Sequence, residues 1–205
     1  MKNDYLPYKA TIISIQRESF DINTYRVILA DPRVRDEFSF KQGQFAEISL
    51  LGVGEAPISI TSSPSHPEFL EFTIRACGSL TYKLAQLNIG DSIYLRGPYG
   101  NSFPLPKEKN TDIYFVAGGI GLAPLRSLIN IIFENRDMFG HIKILYGAKT
   151  PDEICFKREL DIWEAMPDTD VLLTVDKPDQ NWEKYTGVVT ELWKHTVIDG
   201  QHAIA

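Results

Sequence analysis

Through the first hundred positions of the chain, apolar and polar residues alternate in short stretches. Runs rich in Ile, Val, Thr, Phe and Tyr predict β-strands, because such residues recur with a period of two on a half-buried sheet. The predicted strands are 10–15, 24–29, 44–50, 58–61, 70–75 and 92–96. Glycines and prolines separate them at even spacing. This predicts an antiparallel six-stranded Greek-key β-barrel, since closure removes exposed strand edges.

One helix interrupts the predicted barrel. Apolar residues at Leu80, Leu84 and Leu87 have a helical period, which predicts a helix over 80–87. Ser79 stands directly before this segment, so we expect its hydroxyl to form the N-cap.

The pattern changes after the polar run 107–112. Apolar strands are predicted at 113–117, 142–146 and 171–175, with helices at 124–134, 154–165 and 188–195 and a last strand opening at His202. Alternating strands and helices predict a parallel α/β sheet. We therefore expect two domains: residues 1–106 form the barrel and residues 107–205 form the α/β domain.

Composition narrows the class of protein. The 205 residues include 21 Lys plus Arg and 27 Asp plus Glu, for a net charge of -6, which gives no polycationic surface for nucleic acid or anionic lipid. No apolar run approaches the ~20 residues of a membrane span. The first residues have no apolar stretch typical of a secretory signal, so we expect a cytoplasmic protein.

The metal-ligating residues are few and scattered. Cys77 and Cys155 are the two cysteines, and no histidine follows either at a ligand spacing. We therefore expect no metal site within these residues.

The strongest motif lies between the predicted strand 113–117 and the predicted helix 124–134. It reads Gly118-Gly119-Ile120-Gly121-Leu122-Ala123-Pro124. Glycines let a phosphate approach the backbone, and a helix N-terminus supplies unpaired N–H groups. A tight strand-to-helix turn without a ligand is the alternative interpretation of the same residues.

A second group of motifs lies in the predicted barrel. Ser59 offers a hydroxyl and Arg75 a cation, while the turn that opens the short helix is suited to a pyrophosphate. The motifs are Ala56-Pro57-Ile58-Ser59, Phe72-Thr73-Ile74-Arg75, Gly78-Ser79-Leu80-Thr81 and Gly97-Pro98-Tyr99-Gly100. Each motif also has a simpler interpretation. Ser59 could be an ordinary strand residue and Arg75 a surface charge. The third motif could be a plain capped helix and the fourth a hinge turn.

Four motifs, in their order along the chain, resemble those of the ferredoxin-NADP reductase superfamily. They are Pro57-Ile58-Ser59, Gly78-Ser79-Leu80-Thr81, Gly97-Pro98-Tyr99-Gly100 and Gly119-Ile120-Gly121-Leu122-Ala123-Pro124. Within this superfamily, the sequences of residues 55–60 and 96–100 are most similar to those of the flavin subunits of sulfhydrogenases and anaerobic sulfite reductases. The resemblance covers almost the whole chain. It implies an FAD-binding barrel followed by a domain that binds NAD(P)H.

The resemblance also implies roles for particular residues. Pro57, Ile58 and Ser59 would line the flavin, with Ser59 as the catalytic residue near flavin N5. Thr73, Ile74 and Arg75 would flank the flavin, Gly78, Ser79, Leu80 and Thr81 would hold its pyrophosphate, and Tyr99 is a candidate for stacking. The nicotinamide nucleotide would be held by Gly118, Gly119, Ile120, Gly121, Leu122, Ala123 and Pro124.

The chain departs from the family pattern at two places. Ala56 and Ile58 stand where many relatives have the Arg and Tyr of an Arg-x-Tyr-Ser motif, and we expect Arg75 to compensate electrostatically. The sequence also stops at Ala205, where relatives begin a Cys-Gly-Pro-Pro type motif. We expect a truncated chain, and a [2Fe-2S] cluster is expected only in a C-terminal segment that these residues do not include.

The expected function is that of a diaphorase. Hydride transfer from nicotinamide C4 to flavin N5 needs alignment more than an acid or a base, and electrons would then pass to the iron-sulfur centres of a hydrogenase-like or sulfite-reductase-like partner. A non-catalytic flavin- or nucleotide-binding subunit and a free NAD(P)H:flavin reductase are the alternatives. The choice between NADH and NADPH stays open, with Lys149 as a candidate contact to a 2'-phosphate and Asp152 as a candidate contact to a ribose hydroxyl.

Overall fold

The computed structural model describes residues 6–196 and the backbone of residues 203 and 204. The chain divides into two compact units. The first comprises the described residues up to Arg17, together with Asp21–Phe103 and Ala123–Ile131. The second comprises Glu18–Phe20, Pro104–Leu122 and the described residues from Ile132 onward. Grouping part of a later helix with the first unit was not expected, and the predicted boundary at residues 106 and 107 stays a prediction.

Six strands of the first unit form one antiparallel sheet in the order β4-β3-β6-β1-β2-β5. Just after β4, the backbone N–H of Thr61 donates to the carbonyl of Glu71 on β5 at 2.8 Å, which links the two outer strands. The predicted antiparallel six-stranded fold is confirmed. The strands are β1 (Tyr8–Arg17), β2 (Ile22–Leu29), β3 (Phe45–Leu50), β4 (Gly54–Ser59), β5 (Leu70–Arg75) and β6 (Ser92–Tyr99).

The alternating residues of these strands enclose one apolar core. Its buried members come from every strand except β4, from the short helix that precedes β6, and from the connecting residues Phe40 and Ile60. The largest of those that are almost completely buried are Ile12, Ile48, Ile60, Phe72, Leu84, Ile93 and Leu95. Burial of such side chains contributes roughly 1.5–3 kcal/mol each, so this core is the main source of stability of the unit.

Two short helices belong to the first unit. Helix α1 (Pro32–Glu37) was not predicted from the sequence, although Asp31 caps it by accepting the N–H of Arg33 at 2.9 Å. Helix α2 (Ser79–Leu84) was predicted, but its N-cap is Gly78 and not Ser79. The expectation of a Ser79 cap was wrong because Thr81 supplies the capping hydroxyl instead.

The second unit contains a parallel sheet in the order β10-β9-β8-β7-β11. The predicted parallel α/β arrangement is therefore confirmed. The strands are β7 (Thr111–Gly118), β8 (Phe139–Ala148), β9 (Thr169–Val175), β10 (Tyr185–Thr186) and β11 (Ala203–Ile204). The predicted start of the last strand at His202 lies outside the described residues.

Two α-helices follow strands of this sheet: α3 (Leu122–Glu134) after β7 and α4 (Lys157–Glu164) after β8. Helix α4 begins later than predicted, because Phe156 has a left-handed backbone with φ of 57°. The helix predicted over 188–195 is present as a 3-10 helix, Val189–His195.

Candidate functional site

The glycine-rich motif forms the connection between β7 and α3. Gly118 ends the strand, Gly119–Gly121 form a single 3-10 turn, and Leu122 begins the helix. Pro124 lies in the first turn of α3, where a missing N–H costs nothing. The predicted strand, glycine turn and helix thus follow one another directly.

The glycines of this turn differ in what requires them. Gly119 has φ of +53°, a left-handed conformation that favours glycine. Gly118 has φ of −121° and Gly121 has no left-handed φ, and a Cβ added at either would meet no atom of the chain within 4 Å. The chain itself therefore gives no reason for glycine at Gly118 and Gly121. Bare backbone in open space is what a phosphate group needs for close approach.

The side chains of the motif face inward. Leu122 and Ala123 are buried, and Ile120 and Pro124 are half-buried. These residues pack within the protein, so a ligand at this turn would contact mainly their backbone.

Tyr146 supports the turn from the end of β8. Its hydroxyl donates to the carbonyl of Gly119 at 3.0 Å and accepts the N–H of Cys155 at 3.2 Å. The side chain is 1% exposed. Sequence reasoning missed this residue, and the available signal was a hydroxyl-bearing aromatic at the carboxyl end of an apolar strand.

The second predicted phosphate turn begins helix α2. The hydroxyl of Thr81 accepts the N–H groups of Cys77 at 2.9 Å and Gly78 at 2.8 Å. A Cβ at Gly78 would meet nothing closer than 3.9 Å, and its φ of −150° suits any residue. Gly78 and Ser79 are exposed, whereas Leu80 is buried in the core. This turn, like the one after β7, presents bare backbone to open space.

Ser59 lies at the end of β4 in a row with two aromatic residues. It pairs with Phe45 on β3, and Phe45 pairs in turn with Tyr99 on β6. The rings of Phe45 and Tyr99 have centroids 5.9 Å apart. Along β4, Pro57 is exposed, and Ile58 and Ser59 are half-buried. The sheet thus brings Ser59 and Tyr99 together, with Phe45, which the sequence analysis did not single out, between them.

The predicted residues of β5 are engaged within the first unit. The hydroxyl of Thr73 is buried 2.9 Å from that of Thr24 and 3.4 Å from that of Thr61. Ile74 belongs to the core, and Arg75 forms an ion pair with Asp21 at 3.3 Å. The expected electrostatic role of Arg75 toward a flavin stays a prediction.

A second cation lies closer to Tyr99. Arg96 donates from Nε to Glu55 at 3.0 Å, and its Nη1 lies 3.5 Å from the Tyr99 hydroxyl. The hydrogen bond from Arg96 lowers the pKa of the Glu55 carboxyl, and the same bond raises the pKa of Arg96. Both groups are therefore charged at neutral pH, directly beside Ala56.

Other sites are limited in the part of the chain that the structure describes. No group of three or more His, Cys, Asp or Glu side chains there could hold a metal ion. Cys77 is exposed and Cys155 is buried, and both are free thiols. Lys149 and Asp152, the candidates for the ribose, are both exposed. Across residues 6–196, no helix is long and apolar enough to cross a membrane.

Comparison with solved structures defines the class of fold. The chain matches the cytochrome b5 reductase domain of Ulva prolifera nitrate reductase with a TM-score of 0.80 at 19% identity, covering 97% of this chain and 85% of that one. It matches the ferredoxin-NADP+ reductase of Plasmodium falciparum, solved with 2'P-AMP, with a TM-score of 0.78 at 23% identity, covering 95% and 81%. The chain therefore has the two-domain fold of the ferredoxin-NADP reductase superfamily.

Comparison of sequences identifies the second half of the chain more closely. Residues 115–204 match the family model of the oxidoreductase NAD-binding domain. Over 188 residues the chain is 31% identical to "Sulfhydrogenase 1 subunit gamma" of Pyrococcus furiosus. That alignment covers 90% of this chain and 64% of the relative, so the chain spans less than two thirds of the relative's length. The resemblance to sulfhydrogenase flavin subunits is confirmed.

Proposed function

We propose that this chain is a flavoprotein electron-transfer subunit that binds FAD on the six-stranded unit and NAD(P)H at the turn between β7 and α3. Electrons from the nicotinamide would pass through the flavin to an iron-sulfur partner. The match of residues 115–204 to an NAD-binding oxidoreductase domain supports the nucleotide site. The superfamily fold supports a flavin on the sheet that carries Ser59 and Tyr99.

The observation that carries the proposal is the set of glycines without a structural reason. Gly78, Gly118 and Gly121 have no left-handed φ, and an added Cβ would meet no atom of the chain closer than 3.9 Å. They occur at two separate turns, each directly before a helix. Two phosphate-bearing ligands, a flavin nucleotide and a nicotinamide nucleotide, fit two such turns.

The residues of the chain would bind and orient the two nucleotides. Backbone N–H groups of Ser79, Leu80 and Thr81 would bind the flavin pyrophosphate, since the N–H of Gly78 already donates to the Thr81 hydroxyl. Backbone N–H groups of residues 118–123 would bind the nicotinamide nucleotide, with Pro124, which has no N–H, packed behind them. Pro57, Ile58 and Ser59 would line the flavin, with the Ser59 hydroxyl near its N5 and the Tyr99 ring available for stacking. Bound FAD supplies the redox chemistry, since it accepts two electrons as a hydride and releases them singly.

A nearby cation could replace the Arg that the chain lacks in its Arg-x-Tyr-Ser motif. Ala56 cannot offer a cation, and the guanidinium of Arg96 on β6 contacts both Glu55, which precedes Ala56, and Tyr99. We propose that Arg96 helps to bind the flavin in place of the Arg of the Arg-x-Tyr-Ser motif in many relatives. This role would add to the electrostatic role predicted for Arg75.

The partner is proposed from the relative's name. A sulfhydrogenase gamma subunit is one subunit of a larger assembly, so we propose a hydrogenase-like or sulfite-reductase-like redox partner with iron-sulfur clusters. A [2Fe-2S] cluster, if the protein has its own, would be bound by sequence beyond Ala205. The cytoplasmic location stays a prediction.

The test is the visible spectrum of the purified protein under anaerobic conditions. We expect a flavin that remains bound through gel filtration, is released as FAD on denaturation, and bleaches on addition of NADH or NADPH. A bound flavin that neither nucleotide bleaches would contradict the proposal and favour a non-catalytic subunit. A flavin lost on gel filtration would favour a free flavin reductase.

A further inference from the structure

Arg126 on helix α3 makes a buried ion pair inside the first unit. Its Nη1 donates to Oε2 of Glu71 on β5 at 2.6 Å and to the main-chain carbonyl of Thr61 at 2.9 Å. Arg126 is 8% exposed and Glu71 is 6% exposed. One nitrogen of the guanidinium thus joins the helix to two segments of the sheet.

The Glu71 carboxylate is satisfied on both oxygens. Arg26 on β2 donates from Nε to Oε1 of Glu71 at 2.9 Å, and its guanidinium carbon lies 4.1 Å from the centre of the Phe69 ring. The Arg26 side chain is 42% exposed, so it lies at the rim of this cluster. Arg126 is therefore the buried partner, and Arg26 is the outer one.

A neighbouring residue makes a second link of the same helix to the same unit. The Ser127 hydroxyl is fully buried and accepts the N–H of Gly43 at 3.1 Å. Gly43 itself requires glycine, because it has φ of +84° and a Cβ would collide with the Phe103 ring. Two consecutive residues of α3 thus form polar contacts with other segments of the first unit.

A buried ion pair contributes little to the free energy of folding, because the cost of removing two charges from water offsets most of their attraction. Their directional hydrogen bonds do, however, fix geometry. Thr61 follows the predicted flavin residue Ser59 by two positions, and Arg126 follows Pro124 of the predicted nucleotide motif by two positions. The Arg126–Thr61 hydrogen bond therefore joins the chain segments next to the two predicted cofactor motifs.

We infer that Arg126 and Glu71 are positioning residues that hold the first turn of α3 in register with the end of β4, so that nicotinamide and flavin align for hydride transfer. The inference rests on the proposed function. In the step concerned, the C–H bond at nicotinamide C4 breaks and its hydrogen leaves with both electrons for flavin N5, which oxidises the nicotinamide and reduces the flavin. Such transfers depend steeply on alignment, and a misplacement of about 1 Å costs on the order of a hundredfold in rate.

The experiment is anaerobic stopped-flow reduction of the FAD-loaded, full-length protein over a range of NADH or NADPH concentrations. The variants are Glu71→Gln and the double variant Arg126→Met with Glu71→Gln, which leaves no unpaired buried charge. We expect the limiting rate of flavin bleaching to fall on the order of tenfold or more, while FAD content and the nucleotide Kd stay near those of the wild type.

The matched control is Arg26→Ala. It removes a cation from the same carboxylate but leaves both hydrogen bonds of Arg126, so its limiting rate should equal that of the wild type. If the double variant does not fold, Arg126→Lys provides the same readout, because Lys keeps the charge and loses the guanidinium geometry.

The outcomes separate the two proposals. Variants that load FAD and bleach at the wild-type limiting rate would overturn the positioning role alone. A fall in FAD content or nucleotide affinity with an unchanged limiting rate would also overturn it, because it would show a merely structural role. Absence of bleaching in the wild type would instead overturn the proposed function, and the positioning role with it.

Discussion

Two glycines of the turn between β7 and α3 differ in backbone conformation. Gly119 is required by its backbone, with φ of +53°, whereas Gly121, two positions later, has neither a left-handed φ nor a neighbour within 4 Å of an added Cβ. The two positions lie in one 3-10 turn and so form a matched pair. Alanine at position 119 should therefore lower the free energy of unfolding. Alanine at position 121 should instead keep the stability of the fold and weaken nucleotide binding.

We expect Gly121→Ala to leave the free energy of unfolding unchanged or to raise it by up to about 1 kcal/mol, since alanine restricts the unfolded chain. It should weaken nucleotide binding on the order of tenfold, because the methyl group occupies space that a phosphate needs. Gly119→Ala should instead lower the free energy of unfolding by about 1–2 kcal/mol. Denaturant unfolding and nucleotide titration measure both effects, and unchanged affinity in Gly121→Ala would argue against a nucleotide at this turn.

Thr81 gives a second test at this scale, at the other turn. Its hydroxyl accepts two backbone N–H groups, from Cys77 and Gly78. We expect Thr81→Ala to cost about 1 kcal/mol of stability and to reduce the FAD retained after gel filtration, because the turn loses its cap. Thr81→Ser keeps the hydroxyl and serves as the control. Full FAD retention in the alanine variant would contradict a role for this turn in binding the flavin.

At the scale of elements, Tyr146 connects strand β8 to the glycine turn. The hydroxyl bonds to Gly119 and Cys155, and the ring is buried. We expect Tyr146→Phe to lower the free energy of unfolding by about 1–3 kcal/mol, because it leaves buried polar groups without this partner. The nucleotide Kd, measured by titration, should rise as the turn loses its support. An unchanged Kd would show that the turn keeps its shape without the tyrosine.

The hairpin of β3 and β4 and the adjacent β6 give a pH-dependent test. Arg96 lowers the pKa of Glu55 from its ordinary 4.5, so this pair stabilises the fold fully above pH 4.5 and loses its effect as pH falls through the lower, folded pKa. Both side chains contact solvent, so screening by water keeps the contribution of this pair small. Wild type and Glu55→Gln should therefore differ in unfolding free energy at pH 7 and converge in acid. A difference that grows on acidification would contradict this assignment.

Element types were predictable because each depends on a local pattern. Strands such as β5 and β7 follow from alternating or continuous apolar runs, and the glycine turn follows from its place between a strand and a helix. The predictions that were wrong depend on single-residue backbone conformations and hydrogen bonds, which the hydrophobic pattern does not specify. Phe156 adopts a left-handed backbone and delays α4, and Thr81 rather than Ser79 supplies the capping hydroxyl of α2.

At the scale of the whole molecule, the two-part fold was predictable, and the contacts that join distant segments were not. Arg126 and Glu71 are separated by 55 residues, and neither belongs to a motif. Phe45 entered the candidate site only because β3 pairs with both β4 and β6. Periodicity predicts which face of a strand is buried, but strand order and register decide which side chains meet.

The central claim concerns the whole molecule: one chain binds both nucleotides and transfers a hydride from nicotinamide to flavin. The most direct measurement is the rate of anaerobic flavin bleaching by the active nucleotide, NADH or NADPH, unlabelled and deuterated at either of the two C4 positions. Direct transfer from a fixed nicotinamide face predicts that one labelled form bleaches the flavin more slowly and the other at nearly the unlabelled rate. Equal rates for all three, with hydride transfer shown to limit bleaching, would contradict the account.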